Sequence, residues 1–344
     1  MYEKERIYYL DILKSIAIFS VIFIHVFALG YSSQVKGITV SDFSEIFKFA
    51  VPIFLMITGT LLLNRNYDSI SLFLKNKLSR IIFPYLFWMI FIILSLVIPN
   101  GILAYPNAVE YIIFSFFNFP LAWYFWLMIG VYFIIPVLNE FIKKDDLNAS
   151  RYIVVMFIAS SILYQVLSLF KTYTFIDLTF FILPVGYLCL GYFLANYDFN
   201  NKKLIFTVSF VIFIISSIIE LLFNQSFNLT LCFSNLSSGY ASSMDLSIIR
   251  ILQASSLFLF IKYLPFEKFK MKKIIQSISK STYGIYLVHI FVYLLVFHYV
   301  PVIGSGKTVF LTLLSGSVFV FLVSWVIVLI ASKIPFISKF SGYA

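Results

Sequence analysis

Apolar stretches of about twenty residues recur along the whole chain, and short polar connections separate them. A helix of that length crosses the hydrocarbon core of a bilayer, which is about 30 Å thick. The pattern gives ten such segments, at residues 9–29, 43–63, 81–99, 121–141, 151–170, 176–195, 204–223, 246–264, 282–300 and 308–331. It therefore predicts an all-α polytopic membrane protein with about ten transmembrane helices.

Lysine and arginine are distributed unequally between the two sets of alternate connections. Nineteen of the 25 lie on one side of the predicted membrane, whereas the other side has only Lys36, Lys171 and Lys307. Cytoplasmic connections carry the excess of positive charge in membrane proteins. Together with the even number of segments, this bias predicts that both termini are cytoplasmic.

Composition argues for one membrane domain and against separate soluble domains. Hydrophobic residues make up 61% of the 344 residues and charged residues only 12%, a balance that soluble domains do not have. No connection is long enough to fold as a soluble domain. We therefore expect a single transmembrane domain over residues 1–344, with no fused soluble domain.

The net charge of +10 does not indicate a nucleic-acid partner, because the basic residues lie in short connections where the orientation rule accounts for them. The two cysteines, Cys189 and Cys232, give neither a disulfide framework nor a paired metal-ligand spacing. We expect membrane lipids around the chain, no nucleic acid and no metal.

The first apolar segment is unusual because it contains three ionisable residues, Asp11, Lys14 and His25. A charge in hydrocarbon is costly, so such residues in a membrane helix indicate function. Lys14 and His25 are separated by about three helical turns, so they lie on nearly one face, roughly 16 Å apart along the axis. The helix would present a cation at its cytoplasmic end and an imidazole deeper in the membrane.

Each of these residues also has a structural interpretation. Lys14 can extend to the cytoplasmic headgroups and pair with Asp11 one turn earlier, and His25 can form a hydrogen bond between helices. The functional interpretation is that Lys14 binds the phosphates of an anionic donor. It would do so together with Lys75, Lys77 and Arg80 of the next cytoplasmic connection. A neutral His25 would then serve as a general base.

Five stretches, in chain order, share a pattern of basic, small and aromatic residues. They are LDILKSIAIFSVIFIH, FAVPIFLMITGTLLL, FLKNKLSRIIFPYLFW, LAWYFWLMIGVYFIIPVL and ISKSTYGIYLVHIFV. Together they resemble the membrane acyltransferase-3 family, ten-span enzymes that acylate sugars of bacterial cell-surface glycans. The resemblance extends over nearly the whole chain.

The first-helix signature of that family is a basic residue followed, after ten intervening residues, by an essential His. Lys14 and His25 stand at these positions, with Lys where Arg is more usual. Lys77 and Arg80 match the basic loop that enters the third helix, and Trp123 matches the fourth-helix segment. The penultimate-helix pattern is matched closely, by Ser281, Tyr283, Gly284, Tyr286 and His289.

Two positions depart from the family pattern. In the second helix Thr58 and Gly59 stand where Ser-Gly is usual, and Thr60 replaces an aromatic residue. In the fourth helix Leu121 stands where a second His is common. No role of that second histidine can therefore be assigned to this chain.

The resemblance implies a multi-pass enzyme of the bacterial cytoplasmic membrane. It would be an acyltransferase of the O-acetyltransferase type, with cytoplasmic acyl-CoA, and first of all acetyl-CoA, as the donor. The acceptor would be a hydroxyl of an envelope glycan or of its lipid-linked saccharide precursor. Catalysis is assigned to His25, and donor binding to Lys14, Lys77 and Arg80. A substrate-contacting or structural role is assigned to Asp11, Thr58, Trp123, Tyr283 and His289.

Several assignments leave alternatives open. His289 can face the same cavity as Lys14, or it can hold its helix by an interhelical hydrogen bond. Trp123 can stack on a sugar or anchor its helix at the membrane surface. Family members can also carry an extracytoplasmic hydrolase-like domain, which this sequence does not show. The membrane domain would then complete the transfer itself, or a separate extracytoplasmic transferase would finish it.

Four further ionisable residues lie toward the predicted outer side. Glu220 and Arg250 are expected to form an ion pair, as opposite charges in a membrane do. Glu110 and Asp177 are weaker candidates for contacting the acceptor hydroxyl. The alternative function is an exporter of a polysaccharide or lipid-linked sugar, since ten spans with buried charges also suit a transporter. Inverted halves with paired broken helices would favour that alternative, and the sequence does not show them.

Overall fold

The computed structural model describes residues 7–30, 34–35, 38–100, 122–169, 179–223, 247–265, 271–299, 302 and 306–343. In this part of the chain nine α-helices form: α1 (Tyr8–Phe27), α2 (Ala50–Leu62), α3 (Ile70–Asn100), α4 (Ala122–Leu169), α5 (Thr179–Asn196), α6 (Lys202–Phe223), α7 (Ile248–Lys262), α8 (Lys272–Tyr299) and α9 (Lys307–Lys333). Three 3-10 helices also form, at Ala28–Gly30, Val40–Phe47 and Ile337–Phe340. Two-residue strands, β1 (Gln34–Val35) and β2 (Ile38–Thr39), pair antiparallel with Gln34 opposite Thr39.

Each of the ten predicted segments overlaps one of these helices, and α4 accounts for two of them. Within the described residues, seven helical stretches are long and apolar enough to span a membrane. One of the seven is Ala122–Leu163 in α4, whose 42 residues correspond to about 63 Å of helix in total, enough to cross the hydrocarbon core twice. The remaining two of the nine described helices, α5 and α7, are shorter. The prediction of an all-α polytopic membrane protein is confirmed.

A break in the backbone divides α4 into two arms. Asp145 and Asp146 leave the helical region, and Asp146 takes a positive φ of 44°. Asn64, which follows α2 with a φ of 53°, donates from Nδ2 to Asp146 Oδ1 at 3.0 Å. Tyr192 of α5 also donates its hydroxyl to Asp146. Asp and Asn tolerate this left-handed conformation better than other side chains, so this cluster fixes the point at which the chain turns.

The chain divides into two compact units. Unit 1 comprises Met1–Ile24, Asp42–Asn66 and Ile135–Ser279, and unit 2 comprises His25–Ser41, Tyr67–Ile134 and Lys280–Ala344. The boundaries fall within α1, α4 and α8, so each of these helices contributes residues to both units. The single transmembrane domain over residues 1–344 stays a prediction.

Unit 1 is built around a close contact between α2 and α5. A Cβ on Gly59 would lie 1.9 Å from the carbonyl oxygen of Leu188, and a Cβ on Gly191 would lie 2.1 Å from that of Met56. Only glycine allows two backbones to approach so closely, which is a common way of packing helices in membranes. Thr60 strengthens the crossing, because its hydroxyl bonds the carbonyl oxygen of Gly191 at 3.0 Å.

Unit 2 combines α3, residues 122–134 of α4, most of α8 and the whole of α9. Tyr85 of α3 stacks on Phe125 of α4, with ring centroids 3.9 Å apart. The C-terminal 3-10 helix packs on α3, where Phe340 stacks on Phe87 at 5.6 Å. Large apolar side chains on the outer face of α9, such as Leu311, are exposed, as expected for a surface covered by lipid.

Candidate active site

Two histidines from distant parts of the sequence meet in unit 2. His25 lies in the last turn of α1 and is partly exposed, whereas His289 of α8 is fully buried. Nε2 of His289 lies 3.1 Å from Nδ1 of His25, and the ring centroids are 5.1 Å apart. The two imidazoles therefore form a direct hydrogen bond.

The other side of the His289 ring contacts its own helix. Nδ1 of His289 lies 2.5 Å from the carbonyl oxygen of Tyr286 and 3.2 Å from that of Ile285. These carbonyls lie three and four residues earlier, the positions that a helical side chain reaches by folding back on the preceding turn. The ring is thus held at both nitrogens, and its orientation is fixed.

Tyrosines line the same region of unit 2. Tyr283, Tyr286 and His289 follow each other at intervals of three residues on α8, so they lie on one side of the helix. The Tyr286 ring lies 5.8 Å from His289 and 5.0 Å from Tyr124 of α4. The Tyr283 ring stacks on that of Tyr286 at 6.3 Å, and Tyr132, Tyr124 and Tyr85 lie in the neighbourhood of Tyr283. We call Tyr85, Tyr124, Tyr132, Tyr283 and Tyr286 the tyrosine wall.

The tyrosine wall extends to a basic end of α3. Tyr283 donates its hydroxyl to the carbonyl oxygen of Ile81 at 2.8 Å. Arg80 directly precedes that residue in α3. Arg80 is exposed and Lys77, one turn earlier, is partly exposed, so both can reach an anion from solvent. In unit 2, polar aromatic residues of α8 therefore border both the basic end of α3 and the imidazole pair.

The family of the chain follows from a family model described as an acyltransferase domain, Acyl_transf_3, which matches residues 7–329. The matched region includes both histidines, the tyrosine wall and Arg80. The chain belongs to the acyltransferase-3 family. No curated protein and no solved structure matches it. With its apolar helices, the protein is a multi-pass membrane acyltransferase, as the sequence predicted.

Five of the predicted site residues of this acyltransferase lie in or beside the region just described. They are His25, His289, Tyr283, Lys77 and Arg80. Trp123 contacts the wall, since its ring lies 5.9 Å from that of Tyr124 in a T-shaped arrangement. Trp123 therefore supports a wall residue in this structure.

Three other predicted residues lie in unit 1. Asp11 is buried and accepts a hydrogen bond from Ser279 at 2.6 Å. Lys14 is partly buried one turn further along α1. Thr58 bonds the carbonyl oxygen of Phe54 in its own helix at 2.8 Å, the usual local bond of a helical threonine. The roles assigned to these three residues stay predictions.

A second buried polar cluster of the acyltransferase occupies unit 1. Arg250 is fully buried, and its guanidinium lies 3.0 Å from a carboxylate oxygen of Glu220 and 3.8 Å from one of Glu45. It also donates to Gln253 Oε1 and to the carbonyl oxygen of Glu45, both at 2.7 Å. Lys48 pairs with Glu45 at 2.6 Å. The predicted Glu220–Arg250 ion pair is confirmed, and we call these residues the arginine cluster.

Some predictions concern residues that the structure does not describe. Glu110, Asp177, Leu121 and Cys232 lie outside the described residues. Among the described residues, no group of three or more His, Cys, Asp or Glu side chains could hold a metal ion.

Sequence reasoning did not identify Tyr85, Tyr124 and Tyr132 as parts of a common wall. The spacing of Tyr283, Tyr286 and His289 was available as a signal, because three polar aromatic residues on one side of a membrane helix need polar neighbours. The neighbours themselves come from α3 and α4. No pattern in one segment indicates which face of another helix will pack against it.

Proposed function

We propose that this membrane acyltransferase moves an acetyl group from cytoplasmic acetyl-CoA to a hydroxyl of an envelope glycan or of its lipid-linked precursor, in the bacterial cytoplasmic membrane. The observation that carries the proposal is the hydrogen-bonded pair of His25 and His289 in a chain of the acyltransferase-3 family. An imidazole that is partly exposed and oriented by a second group has the arrangement of a general base.

In the proposed reaction His25 removes the proton of the acceptor hydroxyl while the oxygen attacks the thioester carbonyl. A carbon–oxygen bond forms and the carbon–sulfur bond breaks. His25 then returns its proton to the departing thiolate, so that the products are an ester and the free thiol. A correctly placed general base contributes about 10²- to 10⁴-fold to the rate of such a step.

The donor is proposed to bind with its phosphates at Lys77 and Arg80. Phosphates pair strongly with arginine, and Arg80 is exposed at the basic end of α3. The thioester arm would follow the tyrosine wall toward His25. Tyr283 and His289 are about 9 Å apart along α8, a distance that an extended arm can cover. The role of Lys14, a residue of unit 1, in donor binding stays a prediction.

The decisive experiment compares His25→Ala with the matched variant His298→Gln, which changes an exposed histidine at the end of α8. Purified protein in lipid vesicles would be given acetyl-CoA and a lipid-linked saccharide. In cells, envelope glycans would be compared by mass between these variants, the parent and a deletion strain. We expect His25→Ala to lose acetylation by at least about 10²-fold, with export unchanged, and His298→Gln to match the parent. Unchanged acetylation with lost export would instead support the exporter.

The donor site has its own test. Arg80→Met should raise the KM for acetyl-CoA, and raised salt should diminish the difference because screening weakens exposed charge pairs. Lys203→Met is the matched control, since Lys203 is exposed on the same predicted side of the membrane. Equal KM values for acetyl-CoA in the two variants would show that Arg80 does not bind the donor. Acetylation by the purified protein alone would exclude the need for a separate extracytoplasmic transferase.

A further inference from the structure

The geometry of the histidine pair points to a role for His289 that deepens the proposed function and rests on it. We propose that His289 is a positioning residue that fixes the tautomer of His25, so that Nε2 of His25 is the basic nitrogen. His289 is fully buried and His25 is partly exposed. Only His25 can therefore meet a substrate, and His289 acts through it.

The protonation of His289 follows from its contacts with its own helix. A backbone carbonyl oxygen accepts hydrogen bonds and cannot donate them. Nδ1 of His289 lies within hydrogen-bond distance of two such oxygens, at 2.5 Å and 3.2 Å. Nδ1 must therefore carry a proton. A neutral imidazole has one N–H group, so Nε2 of His289 is an acceptor.

The protonation of His25 follows in turn. Its Nδ1 lies 3.1 Å from Nε2 of His289. Two unprotonated nitrogens would repel each other at this distance, so Nδ1 of His25 is the donor. The proton of a neutral His25 is then on Nδ1, and Nε2 holds the lone pair that a general base uses. The proposed tautomer of His25 is thus determined by the backbone carbonyls of α8, through His289.

The same bond assists the reaction when His25 takes a proton. The hydroxyl proton arrives at Nε2 and makes His25 an imidazolium, which is a stronger donor at Nδ1 than the neutral ring. Nε2 of His289 accepts this bond throughout, in the position that a carboxylate occupies in the Ser-His-Asp arrangement. The proton then leaves from Nε2 to the departing thiolate, and His289 remains neutral.

The alternative, in which His289 is positively charged, has an energetic cost. A charged His289 would donate from both nitrogens, which would force Nδ1 of His25 to accept and place the proton of His25 on Nε2. His25 could not then act as a base at Nε2. A charged ring at a fully buried position is costly, and the structure places His289 at such a position.

The tautomer can be measured directly. The chain has three histidines, so protein labelled with ¹⁵N-histidine gives only three rings in an NMR spectrum. Comparison with His298→Gln and His25→Ala assigns the signals in the full-length protein in lipid nanodiscs. We expect His25 with a protonated Nδ1 and an unprotonated Nε2. A proton on Nε2 of His25 with a bare Nδ1 would overturn the proposal.

Two variants separate the two contacts of His289. In His289→Gln the amide oxygen can reach the place of Nε2 and accept from His25. In His289→Asn the amide nitrogen can replace Nδ1 and keep the bond to the Tyr286 carbonyl, but the shorter side chain does not reach His25. We expect a loss of kcat of about 10- to 100-fold in the Asn variant, with KM unchanged, and a clearly smaller loss in the Gln variant.

The outcomes distinguish this proposal from the proposed function. Equal losses of kcat in the two folded variants, or none in either, would show that His289 does not act through His25. If the parent protein transferred no acetyl group, the proposed function would fail while the ¹⁵N measurement still decided the tautomer. The same measurement decides it if one of the variants does not fold.

Discussion

The arginine cluster of unit 1 and the histidine pair of unit 2 are both buried polar groups in a membrane protein, but they are built differently. Around Arg250 two carboxylates and a lysine balance the charge, and the guanidinium also donates to an amide oxygen and a backbone carbonyl. His289, in contrast, contacts another imidazole and two backbone carbonyls, none of which carries a formal charge.

From this difference we expect the arginine cluster to stabilise the fold and the histidine pair to take part in the reaction. A buried ion pair with matched hydrogen bonds is costly to open, because each partner would be left as a buried charge. An imidazole pair can gain and pass on a proton by a small change in its hydrogen bonds. We therefore expect changes in the arginine cluster to affect unfolding, and changes in the histidine pair to affect turnover.

The largest effect on stability is expected for Arg250→Met. This change removes the guanidinium from beside Glu220 and Glu45 and leaves the two carboxylates in a buried environment, which costs about 3–5 kcal/mol. The measurement is the unfolding of the purified protein in detergent, followed by heat and by denaturant. The kcat of the fraction that remains folded should stay close to that of the parent.

The matched control for that change is Lys143→Met. Lys143 pairs with Glu140 at 2.8 Å on the exposed surface of unit 1, where an ion pair contributes about 0–1 kcal/mol. Equal stability of the two variants would contradict a stabilising arginine cluster. A large loss of kcat in a stable Arg250→Met protein would place the cluster in the catalytic machinery and break the comparison.

Glu220→Gln should have the next largest effect. The amide oxygen can still accept from Arg250, and Glu45 still faces the guanidinium at 3.8 Å, so the cluster loses one charge without losing its geometry. We expect a loss of about 1–3 kcal/mol in the free energy of unfolding. Glu140→Gln, at the exposed pair, is the control. A Glu220→Gln protein as unstable as Arg250→Met would mean that charge alone determines the effect.

The sequence was sufficient to predict the Glu220–Arg250 pair of the arginine cluster, because opposite charges in adjacent membrane segments have few alternatives to pairing.

The residue at which α2 begins was harder to predict. The predicted segment 43–63 starts instead as the 3-10 helix Val40–Phe47, and α2 begins at Ala50. The carbonyls of Glu45 and Ile46 accept hydrogen bonds from Arg250 and Gln253 of α7. The bonds that occupy these carbonyls therefore come from a different helix, which the sequence of the segment itself does not indicate.

The histidine pair could be predicted only as two separate candidates. His25 and His289 are 264 residues apart, and neutral side chains do not require one another as opposite charges do. An apolar segment indicates that a helix crosses the membrane, but it does not indicate which faces meet. The meeting of α1 and α8 in unit 2 depends on packing over both whole helices, and no single motif contains that information.

Tyr283→Phe tests whether the tyrosine wall affects stability, as expected for the arginine cluster, or turnover, as expected for the histidine pair. The change removes the hydrogen bond from the Tyr283 hydroxyl to the Ile81 carbonyl, which should lower stability by about 1 kcal/mol. The kcat should change little if this hydroxyl serves only the packing of α8 on α3. Tyr299→Phe, at an exposed residue of α8, is the control. A loss of kcat without a loss of stability would place the hydroxyl on the substrate.

The smallest effect is expected for His298→Gln. This ring lies on the helix of His289 but is exposed, and its described ring contact is an edge-to-face arrangement with Tyr299 at 4.9 Å. A substitution at such a site should alter the free energy of unfolding by less than about 0.5 kcal/mol and leave kcat unchanged. Unfolding curves and acetyl transfer measured beside His289→Asn would check both. If His298→Gln reduced kcat as much as His289→Asn does, the effect of His289 could not be attributed to its bond with His25.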